Sequence, residues 1–391
     1  MAEVVIIGAK RTPMGGFQGE LSAVSVTELG ATAIRGALAE AGTRGEAIDE
    51  TLMGIVLPAG VGQAPARQAS LGAGLPLATP ATAISKVCGS GMQAVIQGCT
   101  QISSGHSNVV VAGGMESMSK APYLSPNTRS GARLGHVELV DHMFLDGLQD
   151  AYEGGLMGSF AENCASKYAF TRKAQDDYAI TSLDRALTAS QNGSFAAEIT
   201  PVTIKSRKGA LIIESDEQPR NARPDKIPNL KPAFAKDGTV TAANASSISD
   251  GAAALVLASR DAASAAGCPI RAGIVGFAGH AQEPGWFTTA PVAATQKLLD
   301  GIGWSVDDVD LWEVNEAFAV VAMAFMHDLG IDHDRMNVNG GACALGHPIG
   351  ASGARILVTL LHALEQREAK RGIAAICIGG GEALAVAIER A

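Results

Sequence analysis

Ser90-Gly91-Met92-Gln93-Ala94-Val95-Ile96 opens an apolar helix that leads to the strand Asn108–Ala112 and then to Gly113-Gly114-Met115-Glu116. Far along the chain, Ser352-Gly353 opens a second apolar helix, followed by the strand Ile373–Ile378 and then Gly380-Gly381-Glu382. The repeated order of Ser-Gly, helix, strand and glycine pair with glutamate predicts two related halves. Chance recurrence in a glycine-rich chain is the competing reading. The runs Val4–Gly8, Asn108–Gly113, Ala252–Ala258 and Ile373–Gly379 are short, rich in Val, Ile or Ala, and mostly end in glycine, so they read as buried strands. Strands apolar on both faces need cover on both sides, which predicts an α/β layered fold.

The chain has 391 residues, long enough for two to three domains. Hydrophobic residues make up 47% and charged residues 18%, which suits a large core and argues against disorder. Glycine reaches 46 residues, above its usual share of about 7%, and is scattered through apolar context, which excludes collagen and flexible linkers. Aromatic residues at 4% and a net charge of −9 argue against nucleic-acid and anionic-membrane binding. No uncharged apolar run is long enough to cross a bilayer, and the start Met1-Ala2-Glu3-Val4 carries no basic segment, so a cytoplasmic protein without a leader is expected. The six cysteines, Cys88, Cys99, Cys164, Cys268, Cys343 and Cys377, form no Cys-x-x-Cys pair. Free thiols are therefore expected, with no structural zinc site and no metal.

From about Met118 to Ile248 the texture changes, with more charge, proline and asparagine. Residues 205–236 hold eight Lys/Arg and four Asp/Glu, a local +4 on an acidic protein. This is either a dock for an anionic ligand or a solvated surface loop, and charge alone does not choose.

Cys88 lies in Lys86-Val87-Cys88-Gly89-Ser90-Gly91. Apolar residues at 92, 95, 96, 99 and 102 place a buried helix immediately after it. Free N–H groups and the positive end of a helix dipole stabilise a thiolate, and the flanking glycines leave room for a substrate, so Cys88 is a candidate nucleophile. A small core cysteine is the alternative, and that reading holds for Cys99 and Cys268. His347 sits in Gly346-His347-Pro348-Ile349-Gly350, a backbone-exposed turn before the helical run Ile356–Leu364. Catalysis, a structural turn, and metal ligation with Cys343 are its three readings. His136, His142, His327 and His333 lie on polar stretches and read as surface groups. Cys377 ends a buried strand facing a glycine loop, where α/β sheets place ligands, although a small strand residue fits equally. Asn315, in Trp312-Glu313-Val314-Asn315-Glu316-Ala317-Phe318, suits either orienting a water or capping a helix. Phosphate-loop, zinc-protease, nucleophile-elbow and well-formed dinucleotide motifs are absent from the sequence.

Taken together, these segments resemble the thiolase family, close to its bacterial acetyl-CoA acetyltransferases. The resemblance rests on Lys10-Arg11-Thr12-Pro13, Val87-Cys88-Gly89-Ser90-Gly91, Gly113-Gly114-Met115-Glu116-Ser117-Met118, Asn315-Glu316-Ala317-Phe318, Gly346 to Arg355, and Cys377 to Gly381, and it runs over essentially the whole chain. It implies a duplicated five-layer α-β-α-β-α core with an inserted loop domain. The halves would be 1–117 plus 249–267 and 268–391, the loop domain 118–248, and the usual assembly a homotetramer. Cys88 would be acylated, His347 would take its proton, and Cys377 would act as acid and base. His347 with an Asn315-held water, and the Cys88 and Gly379 N–H groups, would form two oxyanion sites. A hydrolase needs one thiol, whereas this chemistry uses two. The resemblance further places Arg220 near the coenzyme A nucleotide, and Leu148, Met157, Phe234, Ala242, Ser246, Ile248, Ala317 and Phe318 along the coenzyme tunnel. Acyl-CoA and coenzyme A would be the partners, as substrate and product, with no resident cofactor.

Three departures stand out. Leu156 replaces the histidine usual in close relatives. Trp286-Phe287-Thr288-Thr289-Ala290-Pro291 replaces Met-Gly-x-Gly-Pro, so Phe287 reshapes the acyl-pocket wall. Glu382 follows Gly381 beyond Cys377; its carboxylate is harmless pointing outward and disfavours a Cys377 thiolate pointing inward. The sequence therefore predicts condensation of two acetyl-CoA or thiolysis of acetoacetyl-CoA. A longer-chain 3-ketoacyl-CoA thiolase and a non-catalytic acyl-CoA-binding protein on the same scaffold are the alternatives.

Overall fold

The computed structural model describes residues 2–206 and 209–390. The basic stretch Lys205-Ser206-Arg207-Lys208-Gly209 therefore falls partly outside the described residues, at Arg207 and Lys208.

The first half contributes β1 (Val4–Arg11), α1 (Val26–Ala41), β2 (Glu50–Gly54), α2 (Pro65–Gly72), β3 (Ala81–Ile84), α3 (Ser90–Ser103) and β4 (Val109–Ser117). After Ser117 the chain leaves the sheet for a long excursion that includes α4 (Met157–Lys167) and α5 (Arg172–Gln191). It re-enters as β5 (Ser249–Ser259), hydrogen-bonded antiparallel to β4. The second half adds β6 (Ala272–Ala281), α6 (Ala290–Ile302), β7 (Leu311–Val314), α7 (Ala319–Leu329), α8 (Ile349–Gln366), β8 (Arg371–Ile378) and β9 (Glu382–Arg390).

Strand order exposes the duplication. The first half runs β3-β2-β4-β5-β1, and the second β7-β8-β9-β6. In each half a parallel group is followed by two antiparallel strands. The counterpart of edge strand β3 in the second half is reduced to a parallel bridge between Trp312 and Met336. The halves join at β1 and β6 through Val5–Gly273 and Ile6–Ala272.

Alternation along the strands creates the layers. Val5, Ile7, Val111 and Val256 face α1 and α2. Val4, Ile6, Val110 and Leu257 face the opposite way, and with Ile376, Val386 and Ile388 of the second half they enclose α3 and α8. Ile373, Ala375 and Ala385 face α6 and α7. The stack is therefore α-β-α-β-α, as the sequence led us to expect. The two Ser-Gly pairs are where the central helices cross. A Cβ on Gly91 would lie 2.9 Å from the Ala354 nitrogen, and one on Gly353 only 2.5 Å from the Met92 nitrogen. Only glycine lets the two helices approach this closely at their N-terminal ends.

Candidate active site

Cys88 stands two residues before α3, on a loop bent sharply by its neighbours. Val87 has φ +45°, a left-handed conformation that a β-branched residue adopts only under constraint, costing of order 1–3 kcal/mol. Ser90 supplies part of that constraint: its Oγ accepts from the Lys86 N–H at 2.8 Å and donates to the Val87 carbonyl at 2.7 Å. The loop lies hard against the second half, since a Cβ on Gly89 would come 2.4 Å from Ile378 Cδ1. The Cys88 sulfur faces the Gly379 N–H. Burial pushes the thiol up to about 11, with the Glu116 charge adding to the rise and the Gly379 N–H pulling against it.

His347 is buried immediately before α8, which starts at Ile349, three residues ahead of the Ser352-Gly353 pair where the sequence placed it. Its imidazole Nδ1 lies 2.5 Å from Ser352 Oγ, one turn along the helix. Because the Ser352 hydroxyl donates its proton to the Pro348 carbonyl at 2.9 Å, it accepts from the imidazole. The proton therefore sits on Nδ1, and the Nε2 lone pair accepts a long hydrogen bond from Asn315 Nδ2 at 3.4 Å. Burial, with the Arg355 charge, lowers His347 to about 3, so the ring is neutral at ordinary pH.

Asn315 is fully buried, and its Oδ1 has no hydrogen-bond partner among the described residues. Helix α7 begins at Ala319 with Phe318 as its cap, which removes the capping reading of Asn315. Below it, Glu316 accepts from Tyr178, Ser182, Asn337 and the Cys343 N–H, anchoring the segment. Cys377 ends β8 in the core, and burial first, then the neighbouring Cys88, holds its thiol well above the usual range. Glu116, at the end of β4, accepts from the N–H groups of Val56, Leu57 and Gly350, tying the loop after β2 to the first turn of α8.

These groups converge. One cavity of about 380 Å³ is lined by Cys88, His347, Cys377 and Gly379 together with Leu148, Met157, Phe234, Ala242, Ser246, Ile248, Phe287, Ala317 and Phe318. Asn315 lies behind His347 rather than on the wall. Three larger surface grooves, about 780, 760 and 470 Å³, hold none of these residues. Phe287 is buried in the wall, edge-on to Phe160 and tilted against Phe318. Leu156 also lines the cavity. Arg220 stands apart: it is paired with Glu20 at 2.7 Å and is absent from the cavity wall. Arg223 and Lys226 instead face an adjoining cavity of about 370 Å³ that shares Ala242 with the first. The Glu382 carboxylate points away from Cys377 and pairs with Lys86.

Sequence reasoning missed Ser352, Glu116 and Lys86. The repeated Ser-Gly was the available signal for Ser352, because its neighbour had already been placed at the helix start. His142, read as a surface group, is buried; its Nδ1 lies 2.6 Å from Asp146 Oδ2 and its Nε2 accepts from the Ala59 N–H at 3.4 Å.

Comparison with known proteins agrees with this geometry. Residues 4–261 match the thiolase N-terminal domain and residues 268–390 the thiolase C-terminal domain. An acetyl-CoA acetyltransferase of Pseudomonas aeruginosa is 50% identical, over 100% of both chains. A probable acetyl-CoA acetyltransferase of Dictyostelium discoideum is 48% identical, covering 100% of this chain and 94% of the relative. The crystal structure of a Bacillus anthracis acetyl-CoA acetyltransferase superposes with a TM-score of 0.97 at 41% identity, covering 100% of this chain and 99% of that one. Two matched domains that together span nearly the whole chain, on a doubled sheet with two thiols and an imidazole at its centre, place the chain in the thiolase family.

Proposed function

We propose that this thiolase is an acetyl-CoA C-acyltransferase, joining two acetyl-CoA into acetoacetyl-CoA and coenzyme A, or running the reverse thiolysis. The observation that carries the reading is the convergence of Cys88, Cys377, His347 and the Gly379 N–H on one cavity. In the first half-reaction the Cys88 sulfur attacks the thioester carbonyl and its proton passes to His347 Nε2. The developing oxyanion meets the N–H groups of Cys88 and Gly379. The carbon–sulfur bond of acetyl-CoA breaks, and the proton leaves on coenzyme A. In the second, Cys377 reacts from its thiolate form, which burial makes scarce, and takes an α-proton from another acetyl-CoA. Its enolate oxygen meets a water held by the free Asn315 Oδ1. The enolate carbon displaces Cys88 from its acyl group, and the proton on Cys377 returns to the Cys88 sulfur.

The apolar tunnel past Leu148, Met157 and Phe234 suits a pantetheine arm, and the adjoining cavity with Arg223 and Lys226 suits the phosphate-bearing nucleotide end. Coenzyme A is thus substrate and product, and two thiols with one imidazole need no resident cofactor. Phe287, wedged between Phe160 and Phe318, supports a short acyl group and thereby a place in short-chain fatty acid metabolism. Six free cysteines suit the reducing cytoplasm. Exposed apolar residues Tyr123, Leu134, Val137 and Leu139 support self-association, for which we propose a homotetramer testable by light scattering.

The deciding experiment measures kcat/KM for thiolysis along a chain-length series of 3-ketoacyl-CoA. A steep fall beyond four carbons, with activity abolished in Cys88→Ala, is expected. A maximum at longer chains would replace the short-chain assignment, and full activity in Cys88→Ala would overturn the mechanism.

A further inference from the structure

We propose that the ion pair between Lys86 and Glu382 is a positioning device that holds the Gly379 N–H onto the Cys88 sulfur. The two partners flank the reacting groups from opposite halves of the molecule. Lys86 stands two residues before Cys88, and Glu382 three residues after Gly379. Their backbones differ in stiffness. Glu382 is hydrogen-bonded within the sheet, opposite Ile378 on β8 and Ala281 on β6. Lys86 belongs to the loop in which Val87 is forced to φ +45°. On the other side, Gly379 begins a three-glycine turn whose last two members have φ +92° and +87°.

A strained loop and a glycine turn are each poorly determined by their own sequence. Their relative position decides whether the Gly379 N–H reaches Cys88. The Ser90 hydroxyl braces the loop internally, but it does not reach the second half. The Lys86–Glu382 pair adds a directional polar link across a seam that is otherwise closed by apolar packing of Gly89 on Ile378. With side chains 26% and 41% exposed, the pair adds little to global stability, so its effect falls on local geometry. Neither residue touches the cavity, and both act through Gly379 and Cys88.

This inference rests on Cys88 as nucleophile and Gly379 as oxyanion donor, and the test separates the two. Lys86→Met, Glu382→Gln and the swapped double variant Lys86→Glu/Glu382→Lys are compared with wild type and Cys88→Ala. Two readouts are used: thiolysis of acetoacetyl-CoA, and the pH dependence of Cys88 alkylation by iodoacetamide. If the pair positions the donor, both single variants lose roughly tenfold or more in kcat with KM for coenzyme A little changed. Both also shift the alkylation profile of Cys88 to higher pH, because both lose an N–H bond to the sulfur. The swapped variant regains most of the loss. If the charges act only through space, the single variants shift the profile in opposite directions: downward when Lys86 is left unneutralised and upward when Glu382 is. That result, or wild-type kcat in both single variants, overturns the proposal while leaving the Cys88 mechanism standing. Thiolysis that survives in Cys88→Ala overturns both together.

Discussion

The hydroxyl of Ser352 decides which nitrogen of His347 carries the proton, and removing it should slow the chemistry without weakening binding. In Ser352→Ala the imidazole Nδ1–H loses its acceptor at 2.5 Å. The Pro348 carbonyl does not become an orphan, because it still accepts from the Ala351 and Ser352 N–H groups at 2.9 and 3.0 Å. The cost is therefore confined to the ring. A buried unpaired N–H costs about 1–3 kcal/mol. The ring escapes that cost by moving its proton to Nε2, which then cannot receive the Cys88 proton. Returning to the productive tautomer costs the same amount, so kcat should fall by roughly 5- to 150-fold. KM should change little, since Ser352 does not line the cavity. Because the ring is neutral at working pH, the tautomer is the variable and the charge is not. Steady-state thiolysis gives the rate, and nitrogen NMR of labelled histidine reads the tautomer directly. Unchanged kcat, or an Nε2 that still carries the lone pair in the variant, would refute the reasoning.

Gly353→Ala should destabilise the protein by about 1–3 kcal/mol, because its Cβ would lie 2.5 Å from the Met92 nitrogen and the central helices would have to separate; thermal unfolding measures this, and an unchanged midpoint contradicts it. Arg355→Met should destabilise the protein less than a stranded buried charge would, because Glu313, its partner at 2.8 Å, is already raised to about 8 by burial and takes up a proton when Arg355 is lost; adding Glu313→Leu should recover much of the loss in the same assay. Arg223→Ala with Lys226→Ala should raise KM for coenzyme A with kcat nearly constant, and a fall in kcat alone would remove these residues from nucleotide binding. In the free enzyme, alkylation of Cys88 should climb about tenfold per pH unit with no plateau below about pH 9. The thiol is raised to about 11, so the thiolate fraction grows with pH throughout that range, whereas a plateau near neutrality would show a preformed thiolate.

Local pattern revealed much of this molecule. Strands ending in glycine and two Ser-Gly helix starts exposed the doubled sheet, because periodicity and close packing both leave local traces. Cys88 and His347 were legible for a related reason: their glycines mark backbone that something must approach. What stayed hidden depends on contacts between distant segments. Arg220 looked available for phosphate, yet Glu20 holds it from the far end of the chain. His142 looked exposed because its neighbours are polar, yet the loop around Ala59 folds over it. The Ser352-Gly353 pair marked α8 but not its first turn, because Gly350 weakens the helical pattern ahead of it. Glu382 was legible as a departure but not in its direction, which Lys86 sets from the other half.

Duplication also explains why the site lies where it does. The cores bury α3 and α8 between the sheets, and Gly91 and Gly353 bring their N-terminal ends into contact. Each half thus delivers the loop preceding its central helix to the same point, Cys88 from one and His347 from the other. Two helix N-termini converge there, and both favour negative charge. Their effects differ by occupant. At the start of α8, Glu116 accepts the Gly350 N–H and offsets part of that helix's field, while Arg355 adds positive charge near His347. At the start of α3, Cys88 faces the Gly379 N–H, while burial first and the Glu116 charge after it oppose ionisation. A symmetric scaffold therefore carries an asymmetric site: a thiol whose anion is assisted on one side, and on the other an imidazole kept neutral so that it can accept a proton and then release it.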